Sequence, residues 1–404
     1  MTKVERGPQI AQKARVNTAR ARSGAGRRRP QGHGLGRAVM MAEMRSLVTG
    51  ASGYVGSELI GRLRAGGHSV RAMAREPARV DPAILGEGAA GDRAGKVDKV
   101  EVCRGDVLSG EGLERALEGV EVAYYLIHSM EQAPSQAQMA RFPERERSGA
   151  ERFARAAAKA GVRRIVYLGG PTKSWVTRGA TAPHNAAKDP RATASNGAKA
   201  DTREEEAGPL SSHLQSREAV AEVLREAVAD TVVLRASIVV GARSRSFRFM
   251  VRLIERMRVL ALPAWRSYRT RPIDGRDVIE MLVAAAQKAE VAGCSLDVGG
   301  PDVLSYGEMI ERIAELMLIR RPVVRVGVSV TPIAAPLAAA IAGEDPELVG
   351  ALMGSLQSDL LPGGAEGNSY KRAARMLGVE LHSYDAAVEH ALREWEAVEP
   401  LAAR

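Results

Sequence analysis

Three glycines, Gly50, Gly53 and Gly56, stand where a short apolar run meets an amphipathic stretch in "LVTGASGYVGSELI", residues 47–60. At that spacing the first permits a tight turn, the second lets a pyrophosphate approach the backbone, and the third lets helix and strand pack closely. The backbone of Ser52, Gly53, Tyr54, Val55 and Gly56 then opens a helix whose free N–H groups and partial positive charge suit phosphates. Dinucleotide binding is the chemistry this predicts. The next apolar stretch, "HSVRAMAREPARV" (68–80), reaches Arg75 where an NAD site would place Asp or Glu, about 20 residues past the loop, to hold the ribose 2′-hydroxyl. A guanidinium there suits a 2′-phosphate, because its fork matches phosphate geometry. NADP(H) is therefore expected in preference to NAD(H), with Arg79 supporting it and Glu76 opposing. Further on, Gly105-Asp106-Val107 ends a third strand. Asp106 is expected to accept from the adenine amino group, with Val107 beside the ring. Leu126 and Ile127, in "YYLIHSM" (124–130), should run over the nicotinamide-side ribose.

Those residues need a sheet to position them. Apolar runs predict strands near 45–49, 69–74, 99–104, 121–127, 163–168, 231–236 and 293–298. Helical patterns fall between them, near 53–65, 109–118, 144–160, 213–228, 246–256 and 275–289. Such alternation implies an α/β fold, a Rossmann-type doubly wound parallel sheet covering 42–300. No repeat at solenoid period is present. Residues 171–209 interrupt the rhythm with a polar, aperiodic stretch expected to be a disordered insert, in which Trp175 is the residue placed to dock. From 301 to 404 the pattern is mostly helical, near 305–318, 333–342, 346–356, 369–376 and 383–397, and is expected to complete the substrate cleft. The run 326–343 holds Pro332 and Pro336 and reads as a buried helix or pocket wall rather than a spanning segment.

Charge is distributed unevenly. Residues 1–41 hold ten of the chain's 58 Lys and Arg but one of its 48 Asp and Glu, a net of +9. The remainder carries +1, so the basic character belongs to the tail and not to the body. That tail has no hydrophobic period and is expected to be disordered. An over-extended start, with translation beginning near Met41 or Met44, is the favoured reading; a nucleic-acid arm or an organellar presequence are the others. No apolar core of a signal peptide is visible in residues 1–40. Two distant cysteines, Cys103 and Cys294, argue against a disulfide framework or zinc site and suit a cytoplasmic protein. The expected partner is a small-molecule substrate, with no metal, no stable membrane insertion, and no nucleic acid beyond the tail.

Taken together, "TGASGYVG" (49–56), "GDV" (105–107), "VRRIVYLGG" (162–170), "VVLRASIVVG" (232–241), "RPIDGRDVIEML" (271–282) and "LDVGGPDVLSYGEMI" (296–310) resemble the short-chain dehydrogenase/reductase superfamily. The likeness is to its atypical, extended-like branch, over roughly residues 45–320. It is nearest to NAD(P)H-binding proteins related to nucleoside-diphosphate-sugar epimerases and to the NmrA-like group.

That resemblance implies a catalytic set of Ser and Tyr-x-x-x-Lys, and the set is absent. The serine position is Gly170; on the helix "LSSHLQSREAVAEVL" (210–224) the tyrosine position is His213 and the lysine position Arg217. Two functions stay open. In one, the protein is an oxidoreductase that reduces a carbonyl, enone or quinone-like compound. His213, with an unperturbed pKa of about 6.5, is then the general acid. Arg217, one turn on, contacts the ribose or a developing oxyanion, and His128 assists from the ligand side of the sheet. In the other, the protein is a non-catalytic NADP(H) sensor or structural component.

Overall fold

The computed structural model describes residues 44–85, 100–127, 142–177, 212–326, 331–354, 356, 358–362 and 368–398. Seven of its strands form one sheet: β1 (Arg45–Thr49), β2 (Ser69–Ala74), β3 (Glu101–Arg104), β4 (Val122–Tyr125), β5 (Arg164–Gly169), β6 (Val232–Arg235) and β7 (Ser295–Asp297). Their spatial order is β7-β6-β5-β4-β1-β2-β3, and every pairing is parallel. This is the expected doubly wound Rossmann-type sheet. The order reverses between β1 and β4, and the crevice beyond the carboxyl ends of those strands is where such sheets take ligands.

Period-two alternation divides each central strand between two cores. Val48, Tyr124, Val166 and Val232 face one layer, and their neighbours Leu47, Tyr125, Ile165 and Val233 face the other. Against the first face pack α1 (Tyr54–Ala65), through Leu59, Ile60 and Leu63 at helical spacing, and α6 (Gly275–Gln287), through Val278, Met281 and Leu282. The second face is covered by α2 (Leu113–Leu117), α3 (Phe142–Lys159) and α4 (Ser212–Ala227). Tyr124 and Tyr125 are both core residues, 0% and 3% exposed. Alternation turns them to opposite faces of the sheet, and helices cover both.

A third core belongs to the helical region. Phe247, Met250, Val251 and Ile254 of α5 (Arg245–Arg256) meet Met309, Ile310 and Ile313 of α7 (Tyr306–Leu316). The same core takes residues of α8 (Thr331–Ala342), α9 (Pro346–Gly354) and α11 (Tyr384–Val398). The remaining helix, α10 (Ser369–Leu377), joins the first sheet face instead. Among the described residues no helix is long and apolar enough to cross a membrane.

Two-residue strands join these parts. Leu304–Ser305, Arg269–Thr270, Asp359–Leu360 and Val176–Thr177 form a four-stranded sheet in that order. Residues 171–177, the start of the stretch read as an insert, are thereby packed against the helical region: Trp175 is wholly buried and its carbonyl accepts from Leu361 N at 3.0 Å. The basic tail and residues 178–211 lie outside the described residues.

Candidate functional site

The chain leaves β1 through Thr49, which is 0% exposed. Its hydroxyl donates to the Tyr124 carbonyl at 3.0 Å and accepts from Leu126 N at 3.0 Å. β1 and the exit of β4 are thus stitched together at the switch point. Gly50 follows with φ +66, and a Cβ there would lie 2.9 Å from the Leu126 carbonyl. Only glycine satisfies both the left-handed backbone and that close approach. A Cβ on Gly56 would overlap the Gly50 carbonyl, so helix and turn are as close as backbone permits.

Gly53 differs. It is exposed, with extended φ −83, and a Cβ there would meet only the Gly50 carbonyl, 3.2 Å away. The first intrahelical bond of α1 runs from Ser57 N to Gly53 O at 2.9 Å, which leaves the amides of Tyr54, Val55 and Gly56 without helical partners. No acidic residue sits in that first turn and no side chain caps it. An open, uncapped amide cradle at the switch point fits the pyrophosphate of a dinucleotide.

Tyr54 contributes backbone alone to this cradle. Its side chain turns inward, with its hydroxyl where a Cβ on Gly241 or Gly275 would be, and burial pushes its phenol far above the usual range. Those two glycines were not legible as part of the site, because their role depends on a side chain some two hundred residues away.

Along the crevice, Arg75 follows β2 and is exposed, with no ion-pair partner among the described residues. Glu76 is engaged instead by Arg79 at 3.9 Å. Asp106 lies beyond β3, where one carboxylate oxygen accepts from Leu108 N at 2.8 Å. Val107 beside it is 4% exposed and packs in the core near Gly149, so its side chain offers little surface to a ring. Leu126 and Ile127 are half-buried directly after β4. His128 lies outside the described residues.

At the end of β5 the backbone reaches Gly170, which is buried. A Cβ there would lie 2.7 Å from Arg217 Cδ and 3.4 Å from Leu214 Cδ2. The stem of Arg217 therefore fills the space that a side chain at position 170 would claim. Arg217 Nε is buried and has no hydrogen-bond partner, and no carboxylate among the described residues pairs with its guanidinium. Tyr167 Oη donates to the Arg217 carbonyl at 3.3 Å, which ties this turn of α4 to β5. Burial holds that phenol neutral far above its usual range. His213 is the second residue of α4, one turn ahead of Arg217.

Arg235 ends β6, in register with Gly169 on one side and Asp297 on the other. It pairs with Asp297 at 2.7 Å. Asp274 caps α6 and holds Arg276. His68 is 6% exposed, near Gln287. Thr49 was the residue sequence reasoning missed; a hydroxyl closing the first strand immediately before the first glycine was its only signal.

The sequence profile described as the NAD dependent epimerase/dehydratase family matches residues 46–299. A (4-alkanoyl-5-oxo-2,5-dihydrofuran-3-yl)methyl phosphate reductase of Streptomyces griseus subsp. griseus is 38% identical over 122 residues, 30% of this chain and 33% of that protein. Cinnamoyl-CoA reductase 1 of Oryza sativa subsp. japonica is 32% identical over 120 residues, 30% of this chain and 32% of that protein. The matched stretch thus spans about a third of each of these relatives. In fold, the chain is similar to a short-chain dehydrogenase/reductase superfamily protein from Agrobacterium tumefaciens with bound NAD. The TM-score is 0.57 at 21% identity, covering 88% of this chain and 98% of that one.

Proposed function

The chain belongs to the NAD dependent epimerase/dehydratase family, and on that premise we propose that it is an NADPH-dependent reductase of a small carbonyl, enone or quinone-like compound. The observation that carries this reading is the guanidinium of Arg217 beside Gly170, a cation without a counter-charge among the described residues at the carboxyl end of a central strand. Both curated relatives are named as reductases, which supports reduction over epimerisation.

In this reading the amides of Ser52, Gly53, Tyr54, Val55 and Gly56 receive the pyrophosphate. Asp106 accepts from the adenine amino group through its remaining carboxylate oxygen. Arg75 pairs with the ribose 2′-phosphate, since Glu76 is turned to Arg79. Leu126 and Ile127 lie along the nicotinamide-side ribose. When bound, the nicotinamide supplies a hydride.

The chain's own residues supply the rest. Arg217 stabilises negative charge on the bound molecule, because guanidinium donors held in a low-dielectric site act without reorganising. His213 delivers the proton, since a free imidazole, with a pKa of about 6.5, is suited to proton transfer at neutral pH. His128 assists. Tyr167, the tyrosine nearest Arg217, is excluded as an acid by its burial.

The test is oxidation of NADPH by the purified full chain with a panel of quinones, enones and aldehydes. At least one is expected to accelerate oxidation, and H213A to slow that turnover at least tenfold while NADPH still binds. If none does and H213A leaves ligand binding intact, the NADP(H)-sensor reading replaces this one.

A further inference from the structure

Several buried or half-buried arginines in this fold are held by carboxylates or backbone carbonyls. Arg71 pairs with Glu101 at 2.8 Å and donates to three carbonyls. Arg164 forks onto Asp230 and donates to the Ala285 and Lys288 carbonyls. Arg235 has Asp297, and Arg271 holds the Gly300 and Pro301 carbonyls. Arg217 is half-buried, and its side chain has neither an ion pair nor a hydrogen-bond acceptor among the described residues. Its Nε is buried without a partner, as are those of Arg235 and Arg271, but it lacks the carboxylate or carbonyls that answer the charge of those two, and a cation withdrawn from water without an acceptor is costly.

The side chain is also restricted. Its stem lies against Gly170, and the backbone at its base is tied to β5 by the bond from Tyr167 to the Arg217 carbonyl. Few degrees of freedom remain to be lost when an acceptor arrives, which favours binding. The acceptor is not the cofactor's pyrophosphate. β5 is separated from β1 by β4, and two inter-strand spacings amount to about 10 Å. A neutral carbonyl oxygen would leave the fork half used, whereas a carboxylate or phosphate takes two parallel donors.

We propose that the substrate carries a permanent oxyanion, a carboxylate or phosphate, received by the guanidinium that the Arg217 stem, seated against Gly170, holds at the carboxyl end of β5. This rests on the reductase reading and names the substrate class for it.

Calorimetric titration of the full-length protein saturated with NADP+ tests it without requiring turnover. One arm compares 4-oxo-2-pentenoate with its methyl ester; the other compares hydroxyacetone phosphate with hydroxyacetone. In at least one arm the anion is expected to bind tenfold or more tightly than its neutral partner, and which arm responds identifies the oxyanion. R217Q should reduce that preference below twofold with NADP+ affinity within twofold of wild type. G170A, which leaves the guanidinium intact but displaces its stem, should lower the preference as well, so the result does not hang on one variant's folding. Equal binding within both pairs, or no binding of any of the four to the NADP+-loaded protein, overturns the proposal. So does an R217Q protein that keeps its anion preference and loses NADP+ instead. NADPH oxidation with a neutral acceptor would persist in those cases if the reductase reading is right, and protein that cannot be loaded with NADP+ marks failure of that reading.

Discussion

Thr49 Oγ1 accepts the Leu126 amide at 3.0 Å while donating to the Tyr124 carbonyl, so one buried hydroxyl fixes how far the β4 exit stands from the first glycine. The Leu126 carbonyl in turn bounds the space above Gly50. Both walls of the crevice at the switch point therefore depend on it. T49V keeps the shape and removes both bonds, leaving a buried amide and carbonyl short of a partner at a cost of about 1–3 kcal/mol. Urea unfolding should show that loss, and NADPH titration a weaker complex. Unchanged values for both would mean the hydroxyl is incidental.

Gly53 has an ordinary backbone, and a Cβ there would meet the Gly50 carbonyl at 3.2 Å, a close contact relieved by a shift of a few tenths of an ångström. G53D should therefore fold with little change in thermal midpoint, yet set a carboxylate against the phosphates. NADPH affinity is expected to fall at least tenfold, as fluorescence titration would report. Affinity retained in a folded variant would remove the cradle from any role in binding.

Arg75 is exposed and has no acidic partner among the described residues, so R75A should leave stability unaltered. Charge-assisted hydrogen bonds contribute about 1.5–3 kcal/mol, which predicts roughly tenfold or greater loss of NADPH affinity. NADH affinity should hold. Wild-type protein that binds NADH more tightly than NADPH would contradict the assignment.

Asp277 lies in the first turn of α6 and is 1% exposed. It accepts from the His382 amide at 2.9 Å and from His382 Nδ1 at 2.6 Å, which pins the segment before α11. Burial raises its carboxyl above the usual range, outweighing the opposing pull of the His382 bonds. The folded chain thus holds this proton at a pH where the unfolded chain has released it. The stability it contributes is complete below the ordinary carboxylate pKa and disappears as pH climbs through the raised value. D277N abolishes the titration, so the wild type's unfolding free energy relative to D277N should decline from acid towards neutral pH. A difference constant across that range would show the group titrates normally.

The sequence by itself determined the seven-stranded sheet, its flanking helices and the glycine turn. Strand alternation, helical spacing and a three-glycine junction are local patterns, and each reports what a few neighbouring residues must do. The helices after residue 300 were legible for the same reason. Tertiary structure alone decided the relationships that close a site. The four-stranded sheet joins two-residue strands lying far apart in the chain, too short to leave a periodic signal. Arg235 chose Asp297 over Asp274 because β6 and β7 are adjacent in register. Gly170 and Arg217, each visible in sequence as a departure from a pattern, prove to be one substitution in space: the first vacates what the second fills. Such complementarity is a property of two surfaces meeting, and a linear chain carries no local trace of it.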